Sequence, residues 1–368
     1  VNGSTLTVNK ALTLNLSQYR HIYIAGAGKA AYKMALAVED LLRSRITGGC
    51  INVPALPLHS RLKKVVACKA SHPIPDINGV RGTKQIVRLI ENLTERDLVI
   101  TVISGGGSAL MPLPAQGITL QEKIKITSLH LKTSATINEI NVVRKHLSQI
   151  KGGQFACLAY PATLVTLYIS DIIDDPFDLQ ASGPTAPDPS TFQDAIYILK
   201  KYEIWNKTPL NIRRRLTRGA SGFIPETPKA ENEAFCKGRI YNFTIGNHNT
   251  ALKAAARVGR QLGYRTLELT SALQGEAREI AKAIVAVGKQ VSNYKKPTRT
   301  PALILASGET TVYVRGKGQG GRNQEFVLSA ISQLRKGMTI ASFGTDGVDG
   351  ITPIPVAGAI ADLSTRER

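Results

Sequence analysis

His21 to Ala31 reads HIYIAGAGKAA, a β-strand that runs into a helix through two glycines. His21 to Ala25 is rich in β-branched and aromatic residues, which suit a pleated and buried strand, and Gly26-Ala27-Gly28 ends it. From Lys29 to Leu42 the apolar residues Met34, Val38, Leu41 and Leu42 recur at helical spacing, so an amphipathic helix follows. Similar units follow this one along the chain. Cys50 to Val53 is a short apolar strand. Asp97 to Ile103 (DLVITVI) is apolar on both faces and breaks into Ser104-Gly105-Gly106-Gly107-Ser108, and Leu164 to Ile169 ends at Ser170-Asp171. Strands apolar on both faces need helices above and below, and strand-then-helix order predicts a parallel sheet in an α/β layer.

Leu210 to Asn232 is rich in Arg, Pro and Gly, has no strand period, and reads as a surface helix and linker near a domain boundary. A second series follows it. Tyr241–Ile245 and Thr266–Leu269 read as strands, His248–Leu262 and Glu276–Val291 as helices. Ala302–Ala306 and Thr310–Val314 read as consecutive strands, which predicts a mixed sheet. Arg322–Leu334 is a helix and Thr339–Phe343 a strand. Two domains are therefore expected, residues 1–232 and 233–368, in keeping with roughly 100–200 residues per domain.

Lys and Arg number 47 against 27 Asp and Glu, a formal net charge of +20. That sign favours anionic partners, whether nucleic acid, an acidic membrane surface or phosphorylated metabolites. The cations are dispersed and aromatic residues make up only 5%, which argues against nucleic acid. No apolar run approaches the ~20 residues of a membrane span, and no signal-peptide core opens the chain, so no membrane association is expected. Cys50, Cys68, Cys157 and Cys236 form no CxxC or Cys/His cluster. That pattern argues against a disulfide scaffold and a structural zinc site, and a cytoplasmic setting is expected.

In α/β sheets ligands bind beyond the carboxyl ends of strands, and here nearly every such end carries Gly, Ser, Asp or a cation. Gly26 to Ala31 matches G-x-G-x-x-A, a dinucleotide fingerprint, but the following strand runs into Pro54-Ala55-Leu56 where an acidic residue is wanted. Lys29 suits an anion held by helix amides and an ammonium, or is simply exposed at a tight turn. Ser104, Gly105, Gly106, Gly107 and Ser108 form the stronger signal, since consecutive glycines let successive N–H groups make an anion nest. Asn141, Arg144 and Lys145 share a helix face that grips a carboxylate or phosphate, or is a solvated basic face. Asp171 stands at a strand end as a candidate general base, with Ser182 following in ASGPT. Farther on, Ser307-Gly308-Glu309 closes a strand. Lys317 to Glu325 (KGQGGRNQE) places Gly321, Arg322 and Asn323 at a helix start, where Arg is disfavoured by the helix dipole unless an anion binds. Gly344 to Gly350 (GTDGVDG) offers Asp346 and Asp349 around Gly347 as a Mg2+ or ribose site, or as a pair of Asp-Gly turns.

These motifs follow one another in an order that resembles a known family. GAGKAA (26–31), SHPIPD (71–76), ISGGGSALMPLP (103–114), INEINVVRKHLSQIKGG (137–153), ISDIIDD (169–175), ASGPT (181–185), ASGETTV (306–312), GQGGRNQE (318–325) and GTDGVDG (344–350) resemble the glycerate 2-kinases of the MOFRL type, over nearly the whole chain. The resemblance implies ATP- and Mg2+-dependent phosphorylation of D-glycerate to 2-phosphoglycerate, in a cleft between two α/β domains. It implies that Lys29 and Arg322 bind anionic substrate and stabilise the transferring phosphoryl group, that Ser104 to Ser108 bind phosphate, and that Asp171 and Asp346 are cleft carboxylates.

With the residue reading, the expected architecture is two three-layer α/β domains, the first with a mainly parallel Rossmann-like sheet and the second with a mixed sheet. Lys29, Arg322 and Asp171 are the expected catalytic residues. Ser104–Ser108, Asn141, Arg144, Lys145, Ser182 and Asn323 are expected at substrate or phosphate. Gly26, Gly28, Gly308, Glu309, Gly321, Asp346 and Gly347 are expected at nucleotide, and Asp346 and Asp349 at metal. The partners are D-glycerate and ATP, with a homodimer as the assembly to test. Two departures stand out: the family opens with a helical segment where this chain has the polar Val1 to Leu16, and it continues beyond Arg368, so the tail is expected to be incomplete. The competing readings are an NAD(P)-dependent oxidoreductase, resting on GAGKAA, and a basic nucleic-acid-binding protein.

Overall fold

A computed structural model describes the chain from Val1 to Glu367 except positions 2, 315 and 317, and positions 366 and 367 by backbone alone. Lys317, read above with the glycine-rich run, lies outside the described residues. The chain divides into two compact units. The first holds Val1–Ser170 and Asp175–Ile245, the second Asp171–Asp174 and Gly246–Arg368.

The first unit opens with an antiparallel hairpin, β1 (Thr5–Val8) and β2 (Leu12–Asn15). Next come β3 (His21–Ala27), α1 (Ala31–Leu42), β4 (Gly48–Val53), β5 (Val65–Lys69), α2 (Ile77–Ile90) and β6 (Asp97–Ser104). A helical stretch follows: α3 (Gly107–Leu110), α4 (Leu120–Leu131), α5 (Ile137–His146) and α6 (Gln154–Ala159). The unit closes with β7 (Thr163–Ile169), α7 (Phe192–Lys201), α8 (Leu210–Ala220), α9 (Glu233–Cys236) and β8 (Ile240–Gly246).

Six strands form one sheet in the order β5-β4-β3-β6-β7-β8, and the ladders from β5 to β7 are parallel. This is the Rossmann order, and it reverses between β3 and β6, the switch point at which ligand crevices open. Every residue of β6 is buried, as DLVITVIS predicts. Alternate residues enter opposite cores, as the two-residue period of a strand requires. Val99 and Ile103 pack with Ile86 and Ile90 of α2 and Phe155 of α6. Leu98, Ile100 and Val102 pack with Met34, Ala35, Val38 and Leu42 of α1. Burying each such side chain contributes about 1.5–3 kcal/mol. A third core joins α4, α5, α7 and α8 through Ile126, Val143, Phe192, Ile196 and Leu216, so the Arg-rich stretch after Leu210 is a packed helix, exposed on one side only.

Tyr241–Ile245, expected to open the second domain, is instead the edge strand of the first sheet. The division therefore falls after Ile245 and not at 232/233, because the sheet extends past β7 to take up one more strand.

The second unit contains α10 (His248–Gln261), β9 (Arg265–Glu276), α11 (Ala277–Tyr294), β10 (Ala302–Thr311), α12 (Arg322–Ala330), β11 (Thr339–Phe343) and β12 (Gly358–Asp362). Parallel and antiparallel pairing both occur, but in two separate ladders, β9–β10 parallel and β11–β12 antiparallel. The stretch read as two consecutive strands contains one, β10, which follows β9 through two register shifts around Ala306. A core of Ala281, Val285, Phe326, Val327 and Ile340 holds α11 and α12 to the β11–β12 ladder.

Candidate functional site

At the switch point of the first unit, the turn after β3 is bonded into the loop after β6. Gly28 N donates to Asn52 O (3.2 Å), Lys29 N to Gly105 O (2.9 Å) and Ala30 N to Ser104 Oγ (2.9 Å). A Cβ on Gly28 would stand 2.1 Å from Ser104 Oγ, so only glycine lets the two segments meet. These bonds engage the amides that would otherwise cradle a pyrophosphate. The G-x-G-x-x-A match thus builds a strand contact where a dinucleotide cradle was the alternative, and Gly26 and Gly28 press β3 against β6. Ser104 is likewise buried in that contact.

The Lys29 side chain is exposed, and its Cγ lies 3.4 Å from where a Cβ on Gly106 would stand; His72 Cδ2 lies 2.9 Å from the same point. Lys29, His72 and the half-buried backbone of Gly105 and Gly106 thus converge at the end of β6.

Beyond that loop a chain of polar contacts runs inward. Ser108 Oγ meets Ser182 Oγ (2.9 Å), which donates to Asn141 Oδ1 (2.9 Å), and Asn141 Nδ2 donates to Leu179 O (3.3 Å). Ala181, Ser182 and Gly183 all have positive φ (50°, 63° and 64°). Non-glycine residues there are strained by about 1–3 kcal/mol each and gather at functional sites. Arg144 Nη1 reaches Asn141 Oδ1 at 3.5 Å. The expected trio of Asn141, Arg144 and Lys145 is divided: Lys145, 3% exposed, turns to Asp178 (3.4 Å) and Asp188 (3.3 Å). Its charge is neutralised internally, so Lys145 is a structural cation. Burial raises the Asp188 carboxyl, but Lys145 and the Ser190 donors outweigh it and hold it below its ordinary value. Three further buried basic residues surround this region, Lys123 and His130 on α4 and Lys151 after α5.

In the second unit, Arg322 opens α12 and forms a two-pronged ion pair with Glu309 of β10. Asp171 and His248 are electrostatically coupled to Glu309, and His248 Nε2 donates to the main-chain oxygen of Asp171 (3.2 Å). Burial raises the Glu309 carboxyl above its ordinary value, Arg322 opposes the rise, and Asp171 adds to it. Of the expected catalytic residues, Asp171 and Arg322 therefore lie in one cluster, with Glu309 in the role of partner to Arg322.

Asp349 is 2% exposed and caps α12. Its Oδ1 accepts from Asn323 N and Nδ2 (both 2.9 Å), its Oδ2 from Gln324 N (2.8 Å) and Nε2 (3.0 Å). Four donors occupy the lone pairs that a metal would need, which overturns the expectation of Asp349 as a metal ligand. Asn323 is committed too, its Oδ1 accepting from Ser342 Oγ (2.6 Å), so it does not reach out to substrate. A Cβ on Gly321 would stand 2.4 Å from Asp349 Oδ1, and one on Gly308 2.2 Å from Leu273 O. Both glycines therefore serve close packing. Asp346 is exposed and accepts from Val348 N (3.1 Å) in a turn completed by Gly347. Among the described residues, no three His, Cys, Asp or Glu side chains converge as a metal site.

The sequence reading passed over Lys123, His130, His72 and His248. For the first two a signal existed: Lys123, Ile126 and His130 occupy one stripe of α4, where helical periodicity calls for apolar residues.

Comparison with known proteins gives the family of the chain. The domain-of-unknown-function model DUF4147 matches residues 2–217 and the MOFRL family model residues 302–368. A glycerate 2-kinase of Pyrococcus horikoshii is 39% identical over 94% of this chain and 77% of its own length. A D-glycerate 2-kinase of Thermotoga maritima is 38% identical over 96% and 80%. The crystal structure of a glycerate kinase from Thermotoga maritima superposes with a TM-score of 0.82, covering 94% of this chain and 80% of that one. Fold and family models together define an α/β protein that joins a DUF4147 region to a MOFRL region. Within that class, the chain belongs to the MOFRL-type glycerate kinase family.

Proposed function

We propose that this chain transfers the γ-phosphoryl group of ATP to the C2 hydroxyl of D-glycerate, giving 2-phosphoglycerate and ADP. The observation that carries this reading is the match, over nearly the whole chain, to proteins named glycerate 2-kinase. The chemistry of the residues supports it. Phosphoryl transfer asks a protein for positioning and charge neutralisation more than for covalent participation. Lys29 and the half-buried Gly105–Gly106 backbone supply cationic and N–H donors at the end of β6. Arg322 supplies a planar fork whose orientation Glu309 holds, and the N–H groups on its remaining edges are donors for a carboxylate or phosphoryl oxygen.

Asp171 is exposed at the end of its strand. As the C2 oxygen attacks the γ-phosphorus and the bond to ADP breaks, the Asp171 carboxylate takes the hydroxyl proton. Mg2+ takes one or two carboxylates together with substrate phosphates and water. The exposed Asp346 has the oxygen-donor chemistry for that role, whereas Asp349 does not. When bound, the ion would neutralise phosphate charge. A cytoplasmic setting belongs to the same reading, in keeping with four free cysteines. Among the described residues no helix is long and apolar enough to cross a membrane.

The test is a regiospecific product assay on the full chain with D-glycerate, ATP and Mg2+. Formation of 2-phosphoglycerate is expected; 3-phosphoglycerate alone, or no ADP, refutes the proposal. Lys29→Ala and Arg322→Ala should each lower kcat/KM by ~10²-fold or more, the loss that follows removal of a comparable charge-stabilising donor.

A further inference from the structure

Two lysines in the first unit are almost equally buried and have opposite surroundings. Lys145 lies between two aspartates, as a buried ammonium should. Lys123 is 5% exposed and its Nζ has no hydrogen-bond partner among the described residues. Two turns along the same helix, the buried His130 has a partnerless Nε2. Lys151 is fully buried and, among the described residues, donates only to the main-chain oxygen of Ala181 (3.1 Å). Among the described residues no carboxylate forms an ion pair with Lys123, Arg144 or Lys151. The helices that carry Lys123 and Arg144 pack together through Ile126 and Val143, and the charge of Arg144 disfavours protonation of Lys123, as those of Lys123 and Arg144 disfavour protonation of Lys151.

We propose that Lys123, Arg144 and Lys151 form a buried subsite for one small oxyanion, a phosphoryl or carboxylate group, next to the Ser108–Ser182–Asn141 contacts. Three cationic groups gathered out of water without a counter-ion are strongly unfavourable, and an apolar side chain beside Ile126 would pack better in place of Lys123. The arrangement makes sense when a negative charge completes it. Arg144 is half-buried and bonds Asn141, and Lys151 holds the strained Ala181–Ser182 segment, so the cluster adjoins the residues already assigned to substrate. Burial above all, and Arg144 after it, pulls the Lys123 ammonium down to about 7, as expected of a group waiting for an anion. The inference rests on the proposed function only for the identity of that anion.

The experiment compares thermal unfolding and calorimetric binding of the full chain with inorganic phosphate, D-glycerate, or NaCl at matched ionic strength. Wild type is expected to gain stability from phosphate or D-glycerate beyond the NaCl control. Lys123→Met should melt above wild type without anion, and bind the effective anion at least about tenfold more weakly, the loss expected with a charge-assisted contact. Lys123→Arg should keep the response. If Lys123→Met is not recovered folded, Lys123→Gln carries the same test. A response to phosphate alone assigns a phosphoryl group and to D-glycerate alone a carboxylate. No anion-specific gain in wild type, or unchanged binding by the neutral variants, overturns the subsite. Phosphate binding requires neither ATP nor turnover, so this result stands apart from that of the kinase assay.

Discussion

Replacing Asp349 with alanine should destabilise the second unit strongly. The carboxylate accepts the backbone N–H groups of Asn323 and Gln324 and both of their side-chain amides. Loss of a helix cap by substitution to Ala removes about 0.5–2 kcal/mol, and each buried donor left without a partner adds about 1–3 kcal/mol. These contributions overlap, and water entering the vacated space recovers part of them, so about 3 kcal/mol is the expected net loss. At about 4–8 °C per kcal/mol for a small domain, the melting transition of this unit should fall by 10 °C or more. Calorimetry reads the transition, and hydrogen exchange reads the first-turn amides of α12, whose protection should disappear.

The pH dependence provides a second check on the same residue. Burial raises the Asp349 carboxyl, but the Asn323 and Gln324 donors outweigh it and hold the group below its ordinary value. Its contribution is therefore full above the unfolded value of ~3.9 and is lost as pH falls through the lower folded one. Asp349→Asn should flatten the stability profile in that acidic window. An Asp349→Ala protein with wild-type melting and weakened Mg2+ dependence would restore the metal-ligand reading and refute the capping argument.

Gly28→Ala should perturb the fold first and activity second, since the added methyl would meet Ser104 Oγ at 2.1 Å; a wild-type melting temperature would show that the β3 turn yields easily. Glu309→Gln leaves the guanidinium of Arg322 without its charged partner, so kcat/KM should fall about tenfold with little change in melting temperature, and unaltered kinetics would remove Glu309 as a positioning residue. Cys68 shares a hydrogen bond with Cys50 that lowers its thiol pKa, whereas burial raises that of Cys157 to about 11. At neutral pH Cys68 should alkylate faster than Cys157, as peptide mass spectrometry would show, and the reverse order would contradict these environments.

Strand runs such as DLVITVI were legible because a strand buried on both faces must be apolar throughout, and Met34, Val38 and Leu42 mark α1 by period alone. Site residues were legible as types at strand ends, but not as partners. Nothing local distinguishes Lys145 from Arg144, yet one is neutralised by Asp178 and Asp188 and the other is not. Asp346 and Asp349 look alike in GTDGVDG, yet one is exposed in a turn and the other caps a helix that begins 27 residues earlier in the chain, at Arg322.

Composition and periodicity alone determined the α/β class and the strand–glycine–helix units and favoured anionic ligands, since these depend on side-chain type and near neighbours. Only the tertiary structure decided that Tyr241–Ile245 joins the first sheet, that the GAGKAA amides are engaged by Ser104, Gly105 and Asn52, and that Lys123 is buried without a partner among the described residues. Each of those outcomes depends on which distant backbone or carboxylate arrives beside a group, and hydrogen bonds and charges act over a few ångströms of space whatever the separation along the chain.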